Sequence, residues 1–565
     1  MPTRKHSSRV NLIFLSLIIA LVFFASQLIL IQIFRFSYLA GLAQKQHSHT
    51  IALEPKRGTI YDRNLHPLAL NVPVDSLYAK PRAMTQQQKY EAIERLAGIL
   101  NVSRDFLKER LDRPKYFVWI KRKLSTPEVE KIKSFKINGL DFIQESKRYY
   151  PNQFLAAHLL GFAGTDNQGL EGLELWYDQY LKGEYGFSQI LRDARQSELL
   201  IEKNFLPPRD GFNFVLTIDE TIQYIAERAL EKACEKHHAK SATIIVMDPK
   251  TGEILALANR PTYDLMRGSA APPEDRLNRG VVSVYEPGSV FKIVTAAAAL
   301  EEDLAREEDR FFCENGKYKV GNHILRDHHP HGILTFTQVF EQSSNIGVAK
   351  IAKRLGPRRV YEYARRFRFG TSTGLNLPGE LGGNLKPPSM WSATSMAAIP
   401  MGQEVTVTAL QLVCATAAVA NDGLYMKPFV VKYIKDNQDE IIKEFEPVMV
   451  SEVISPQTAK RLKAILRGVV ENGTGKLARI PGMTVAGKTG TAQKVVGGTY
   501  SHSKFYATFL GFAPVEDPRL AVVVVLDEPY PSYFGGTVAA PVFKEVVEDA
   551  LKYLATSIAF KDKKR

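Results

Sequence analysis

The sequence predicts an α+β chain with a single N-terminal transmembrane helix and two further modules, the second built on a central antiparallel sheet flanked by helices. Three observations carry this expectation. Val10 to Phe34 (VNLIFLSLIIALVFFASQLILIQIF) holds no charged residue and is long enough, as a helix, to cross about 30 Å of hydrocarbon. Leu206-Pro207-Pro208-Arg209-Asp210-Gly211 reads as a linker. Beyond it, strand-like pairs lie at both ends of a long segment whose middle has helical periodicity, so the two ends close one sheet around an insert.

The anchor decides the compartment. A cleaved signal peptide is the competing reading, because Gly41 and Ala43 form a small-x-small site, but a signal h-region is usually only about 7–15 residues and this run exceeds it. Arg4, Lys5 and Arg9 precede the span and Arg35 and Lys45 follow it, a modest bias that puts residues 1–9 in the cytoplasm and the rest outside. Residues 10–34 are then the span and 35–52 a juxtamembrane segment.

With 565 residues, 45% hydrophobic and 24% charged, the chain is neither a disordered polymer nor a collagen and can bury a full core. Lys plus Arg number 74 against 60 Asp plus Glu, a net +14 that favours an anionic partner such as lipid head groups or a cell-wall polymer. The external placement argues against nucleic acid. Cys234, Cys313 and Cys414 have no metal-ligand spacing and cannot build a disulfide framework, although an odd count leaves one bridge open.

Within the first module, residues 53–210, short strands and turns mix with charged helices, opening on Arg57-Gly58-Thr59-Ile60-Tyr61-Asp62-Arg63-Asn64. In the second, residues 211–556, Phe212 to Ile218 alternates like a strand, and Asp219 caps a helix with apolar Ile222, Ile225, Ala226, Ala229, Leu230 and Ala233. Ala242–Met247 and Glu253–Ala258 flank a hairpin turn. Tyr506–Phe512 and Leu520–Leu526 form a second strand pair before a final helix over Ala540–Leu554, and residues 557–565 are a basic tail.

Three short motifs suggest chemistry. In Glu286-Pro287-Gly288-Ser289-Val290-Phe291-Lys292, Ser289 and Lys292 share a helix face, and a desolvated lysine is able to take a serine's proton. Ser343-Ser344-Asn345 offers a hydroxyl and an amide, and Lys488-Thr489-Gly490-Thr491 a cation on a strand whose glycine permits close approach. Each is weak alone, and each also reads as a helix start, a polar turn or an ordinary strand. Their order, SxxK then SxN then KTG with gaps of 343 − 289 = 54 and 488 − 343 = 145 residues, is the motif set of serine acyltransferases that recognise penicillin.

Two rivals meet the same residues. Gly482 to Thr489 matches GxxxxGK[ST], yet a phosphate loop needs a helix directly after it, and Val495-Val496-Gly497-Gly498 reads as strand and turn. His323, His328, His329 and His331 near Cys313 invite a metal, but their spacing fits neither HExxH nor a zinc finger, so a polar loop is expected.

With these motifs, and with RYYPNQFLAAHLLGF (148–162), GLEGLE (169–174), MGQEVTVTALQL (401–412) and YFGGTVAAPVFKEV (533–546), the chain resembles the class B penicillin-binding proteins, most closely the division-type FtsI group. The resemblance implies an elongated α+β pedestal over 53–210, then a penicillin-binding transpeptidase domain with an all-helical insert, and neither a glycosyltransferase module nor C-terminal PASTA modules. It implies that Ser289 attacks the D-Ala-D-Ala carbonyl of a peptidoglycan stem peptide with Lys292 as base. Ser343 relays a proton, Asn345 holds the substrate amide and the Lys292 ammonium, and Lys488, Thr489, Gly490 and Thr491 form the substrate-binding strand. The Ser289 and Thr491 N–H groups make the oxyanion hole. The implied partners are β-lactams, membrane lipid, a SEDS-type glycosyltransferase and other division proteins; no cofactor or metal is implied.

Four functions stay open on these residues: a septal cross-linking transpeptidase; an elongation-type transpeptidase or D,D-carboxypeptidase; a β-lactam sensor or β-lactamase; and a non-catalytic division scaffold.

Overall fold

The computed structural model describes residues 4–39, 48–192, 198–321 and 323–562, so Gly41, Ala43 and Lys45 lie outside the described residues. Chain contacts group these into two units, Met1–Lys56 with Gly183–Asp210, and Arg57–Lys182 with Gly211–Arg565. In the first unit, Ser8–Phe34 is helical with a mean hydropathy of 2.7 and is the one helix among the described residues long and apolar enough to cross a membrane. The same unit carries a three-stranded antiparallel sheet in which Gly186–Arg192 lies between Ser48–Leu53 and Glu198–Leu206.

The second unit is organised by a five-stranded antiparallel sheet: β1 (Ser241–Met247), β2 (Ile254–Arg260), β3 (Ala486–Val496), β4 (Thr499–Ala513) and β5 (Leu520–Asp527), in the order β2-β1-β5-β4-β3. Both hairpins expected from the sequence are present. Strands β1 and β5 are buried along nearly their whole length, and mostly apolar, because both faces of the sheet are covered. On one face Ile244, Val246, Val522 and Val524 pack with the helices Glu220–His237 and Ala540–Asp562. On the other, Ile245, Met247, Val523 and Val525 join the core around the helices Lys292–Glu301 and Ala409–Ala420. Each such side chain contributes about 1.5–3 kcal/mol on burial. Asp219 caps the first of these helices, its Oδ1 accepting from Thr221 N at 3.1 Å and Ile222 N at 3.3 Å.

A second sheet joins residues from both sequence modules. Ile60–Tyr61 pairs in parallel with Asn213–Leu216, Ile60 opposite Phe214, and continues through Pro67–Ala79 to Val118–Lys121 and Leu140–Tyr149 on one side and through Val431–Lys435 to Ile441–Glu444 on the other. Gly58 is required here, since a Cβ would lie 1.8 Å from Phe212 O. The motif residues around it are buried: Arg57 donates to Glu174 Oε2 at 2.6 Å, Asp178 at 2.6 Å and the Asn167 and Glu174 carbonyls, and Arg148 donates to Glu174 Oε1 at 2.6 Å and Gly58 O at 2.7 Å. Asp62 accepts from the N–H groups of Asn64, His66 and Glu220.

Between Ser289 and β3 the chain is not helix alone, as the expectation of an all-helical insert had it. Beside the helices Phe336–Glu341, Asn345–Arg366, Ala409–Ala420 and Pro456–Glu471 lie short ribbons, Arg310–Phe312 with Ile333–Thr335, Lys317–Val320 with His323–Arg326, Asn384–Leu385 with Val405–Thr406, and Leu424–Met426 with Met449–Glu452. Strands of two to four residues carry too little alternation to stand out in a sequence.

Candidate active site

Gly288–Phe291 forms a 3-10 turn that runs into the Lys292–Glu301 helix, which is apolar nearly all round and wholly buried up to Leu300. Gly288 adopts φ +58° and hydrogen-bonds through its N–H to Gly402 O at 3.0 Å, which ties the Met401 to Leu412 motif to the turn. Strand β3 lies over this turn: a Cβ on Gly490 would come within 2.9 Å of Val290 Cγ1 and 3.1 Å of Pro287 O. The glycine of the third motif is thus the point where the strand meets the nucleophile turn.

Ser289 is half-buried, whereas Lys292 and Lys488 have no exposed surface. The Lys292 ammonium donates to Ser343 O at 2.7 Å, Asn345 Oδ1 at 2.8 Å and Ser343 Oγ at 3.3 Å. Lys488 reaches the same hydroxyl from β3, Nζ to Ser343 Oγ 2.9 Å, and also meets Thr489 O at 3.1 Å. The structure therefore brings all three motifs together on Ser343. That residue holds φ +57°, a left-handed backbone that a non-glycine residue adopts at a cost, and it directs both its carbonyl and its hydroxyl at the lysines.

Burial pushes the Lys292 ammonium down to about 7, with the Asp327 charge acting in the opposite sense. Lys488 is held well below its ordinary value by burial and by the charge of Lys292. At neutral pH such a pair carries less than two positive charges, so one amine is free to accept a proton.

The outer residues of β3 are held differently. Thr489 Oγ1 lies 2.7 Å from Thr474 Oγ1, and Thr491 Oγ1 accepts from Gly535 N at 3.1 Å, which brings the Tyr533 to Val546 motif against the strand. Because β3 is the last strand of its sheet, one row of its backbone groups faces away from β4. Sequence reasoning missed Thr474 and Asp327, neither of which stands in a motif. It read His323, His328, His329 and His331 as one polar loop. His323 lies on an exposed strand, His328 meets the Phe534 ring edge-on at 5.6 Å, and His329 is exposed and His331 half-buried. All three cysteines are free, Cys313 and Cys414 buried and Cys234 partly so.

The phosphate-loop reading fails on geometry, since Lys488 and Thr489 lie inside a strand rather than at a helix N-terminus.

Comparison with known proteins points to one family. Residues 242–548 match the penicillin binding protein transpeptidase domain and residues 52–216 the penicillin-binding protein dimerisation domain. The chain is 37% identical over 525 residues to stage V sporulation protein D of Bacillus subtilis (strain 168), covering 91% of this chain and 81% of that one. It is 31% identical over 544 residues to the peptidoglycan D,D-transpeptidase FtsI of Escherichia coli (strain K12), covering 95% and 90%. A crystal structure of penicillin binding protein 3 from Mycobacterium tuberculosis, complexed with aztreonam, superposes with a TM-score of 0.71 at 29% identity, covering 89% of this chain and 97% of that one.

Proposed function

We propose a reaction course for a chain that belongs to the class B penicillin-binding proteins, the FtsI-like peptidoglycan D,D-transpeptidases. Ser289 Oγ attacks the carbonyl between the last two D-alanines of a stem peptide and passes its proton to Lys292, whose low basicity makes it a proton acceptor near neutral pH. The oxyanion lies between the N–H groups of Ser289 and Thr491. As the C–N bond breaks, the proton returns through Ser343 to the departing D-alanine amine, leaving an ester on Ser289. The amine of a second stem attacks that ester, forms the cross-link and frees the serine. The energy of the new amide comes from the amide broken.

The free edge of β3 suits an extended peptide added as a further strand, and a terminal carboxylate beside Lys488, Thr489 and Thr491 restores to Lys488 the charge that burial opposes. A β-lactam occupies the same site and leaves a stable ester on Ser289. The reading is carried by one observation: two buried lysine amines, one of them three residues after the half-exposed Ser289, meet on Ser343 Oγ at 3.3 and 2.9 Å.

The chain is a single-pass membrane protein by its one N-terminal span and its relatives. The basic residues 4–9 support a cytoplasmic N-terminus, with the catalytic domain outside the bacterial cytoplasmic membrane. Residues 53–210 serve as pedestal and 211–556 as transpeptidase, at the division septum, with a SEDS-type glycosyltransferase and anionic lipid as partners.

Intact-mass spectrometry of the detergent-solubilised chain with benzylpenicillin tests the chemistry. A stable penicilloyl adduct on the wild type and none on Ser289→Ala is expected. Equal labelling of both proteins would overturn the assignment. A stem-peptide substrate then separates cross-linked dimer from simple D-alanine release, and release alone would make the chain a carboxypeptidase.

A further inference from the structure

Asp327 lies just after the His323–Arg326 strand, outside all three motifs, yet its carboxylate organises the second of them. Oδ1 accepts from Asn345 N at 2.6 Å and Ile346 N at 3.1 Å, and Oδ2 accepts from Ser344 Oγ at 2.7 Å. It thereby satisfies two of the orphan donors at the start of the Asn345–Arg366 helix, where a negative charge is also favoured. The neighbouring Arg326 carbonyl accepts from Asn345 Nδ2 at 2.9 Å. With Nδ2 held there, Asn345 Oδ1 is left facing the Lys292 ammonium at 2.8 Å. With Ser344 and Asn345 both tied to one carboxylate, the left-handed turn at Ser343 is fixed, and its carbonyl meets Lys292 at 2.7 Å.

We propose that Asp327 is a positioning residue for acylation: it fixes the Ser343-Ser344-Asn345 turn around Lys292 and lends the site a negative charge. The inference rests on the reading of Ser289 and Lys292 given above. Among the described residues, the groups that face Lys292 are Ser343 and Asn345 from the helix start, Lys488 from β3, and Asp327 and His328 from the loop; of these charged groups only Asp327 favours the ammonium.

Two substitutions separate the carboxylate's two effects. Asp327→Ala removes cap and charge together. Asp327→Asn keeps an oxygen that accepts from Asn345 N and Ile346 N and removes the charge. The measurement is the second-order rate of Ser289 acylation by benzylpenicillin from pH 5 to 9 on the detergent-solubilised full chain, with thermal unfolding alongside. Asp327→Ala is expected to lose about tenfold to a hundredfold at pH 8, the scale of a slightly misplaced catalytic group. Asp327→Asn is expected to keep most of the rate at pH 8 while its acid limb moves to lower pH, because the charge that held Lys292 protonated is gone. A residue that only supported the fold would lower the melting temperature of both variants and leave the acid limb in place. The proposal is overturned if the Asp327→Asn limb superimposes on that of the wild type, or if a folded Asp327→Ala acylates at the wild-type rate. Absence of any Ser289 adduct on the wild type would instead overturn the underlying reading, and this one with it.

Discussion

The pH dependence of acylation follows from the burial of Lys292. An amine left at 10.5 would be neutral in only about one molecule in three thousand at pH 7, whereas at about 7 half of the molecules carry the free base. Burial thus raises the competent fraction by roughly a thousandfold at neutral pH. The sign is fixed by which form reacts: the neutral amine accepts the proton of Ser289, so the rate must fall as acid converts it to ammonium. Relative to pH 8, acylation should drop to roughly half at pH 7, a tenth at pH 6 and a hundredth at pH 5. The assay is the second-order rate constant with benzylpenicillin by rapid quench and mass spectrometry, since that constant reports ionisations of the free enzyme. Burial and the charge of Lys292 hold His328 below its ordinary value. A rate that is flat from pH 5 to 8, or a midpoint above pH 9, would refute the argument that a buried, largely neutral Lys292 is the base.

Three further outcomes follow from contacts described above. Lys292→Ala should reduce acylation by about 10²–10⁴, and because Ser343 O and Asn345 Oδ1 both lose their donor, chemical denaturation should show a loss of about 1–3 kcal/mol as well. Glu174→Ala leaves Arg148 buried without a counter-charge and Arg57 with Asp178 alone, so the urea midpoint should fall by the equivalent of about 3–5 kcal/mol, a larger loss than for any exposed pair. Burial pushes the Glu174 carboxyl up, but Arg148 and Arg57 outweigh it and hold it below its ordinary value. Its stabilisation is therefore complete above about pH 4.3 and is lost as pH falls through the lower folded value, which a wild-type acid denaturation curve would show shifting in Glu174→Gln. Gly490→Ala drives a methyl to 2.9 Å from Val290 Cγ1, and the enforced shift of β3 or of the Ser289 turn should cost about 1–3 kcal/mol and most of the acylation rate; a variant of wild-type activity would show that the strand has slack.

Much of the site was legible because its chemistry needs particular side chains in a particular order, and Lys292, Ser343, Asn345 and Lys488, one or more from each motif, lie within hydrogen-bonding distance of one another. Asp327 was hidden for the opposite reason: an aspartate among His323, His328, His329 and His331 looks like any solvated loop, and only its three acceptor contacts distinguish it. Two of the three hairpins of the five-stranded sheet were legible because consecutive strands pair, which sequence neighbours reveal. The parallel pairing of Ile60 with Phe214 was not, because its partners lie across what the composition marks as a linker. The burial of Arg57, Arg148 and Glu174 was likewise out of reach. Partners 26 and 117 residues apart leave no local trace, and three charged residues read singly as surface.

The position of Arg57 has a mechanical side. It is the first residue of the larger unit, directly after Lys56, and so one of the places where tension passed along the peptide from the N-terminal side enters that unit. The residue does not meet such a load through one bond. Its guanidinium is gripped at once by Glu174, Asp178 and the carbonyls of Asn167 and Glu174, and the backbone beyond it is bonded to Leu181, Asn213 and Phe214. Bonds loaded together in this way must break together, whereas a hairpin pulled from its end opens one pair at a time. The entry of the chain at Arg57 is built as a shear joint, so a pull on Lys56 meets several bonds at once rather than one after another.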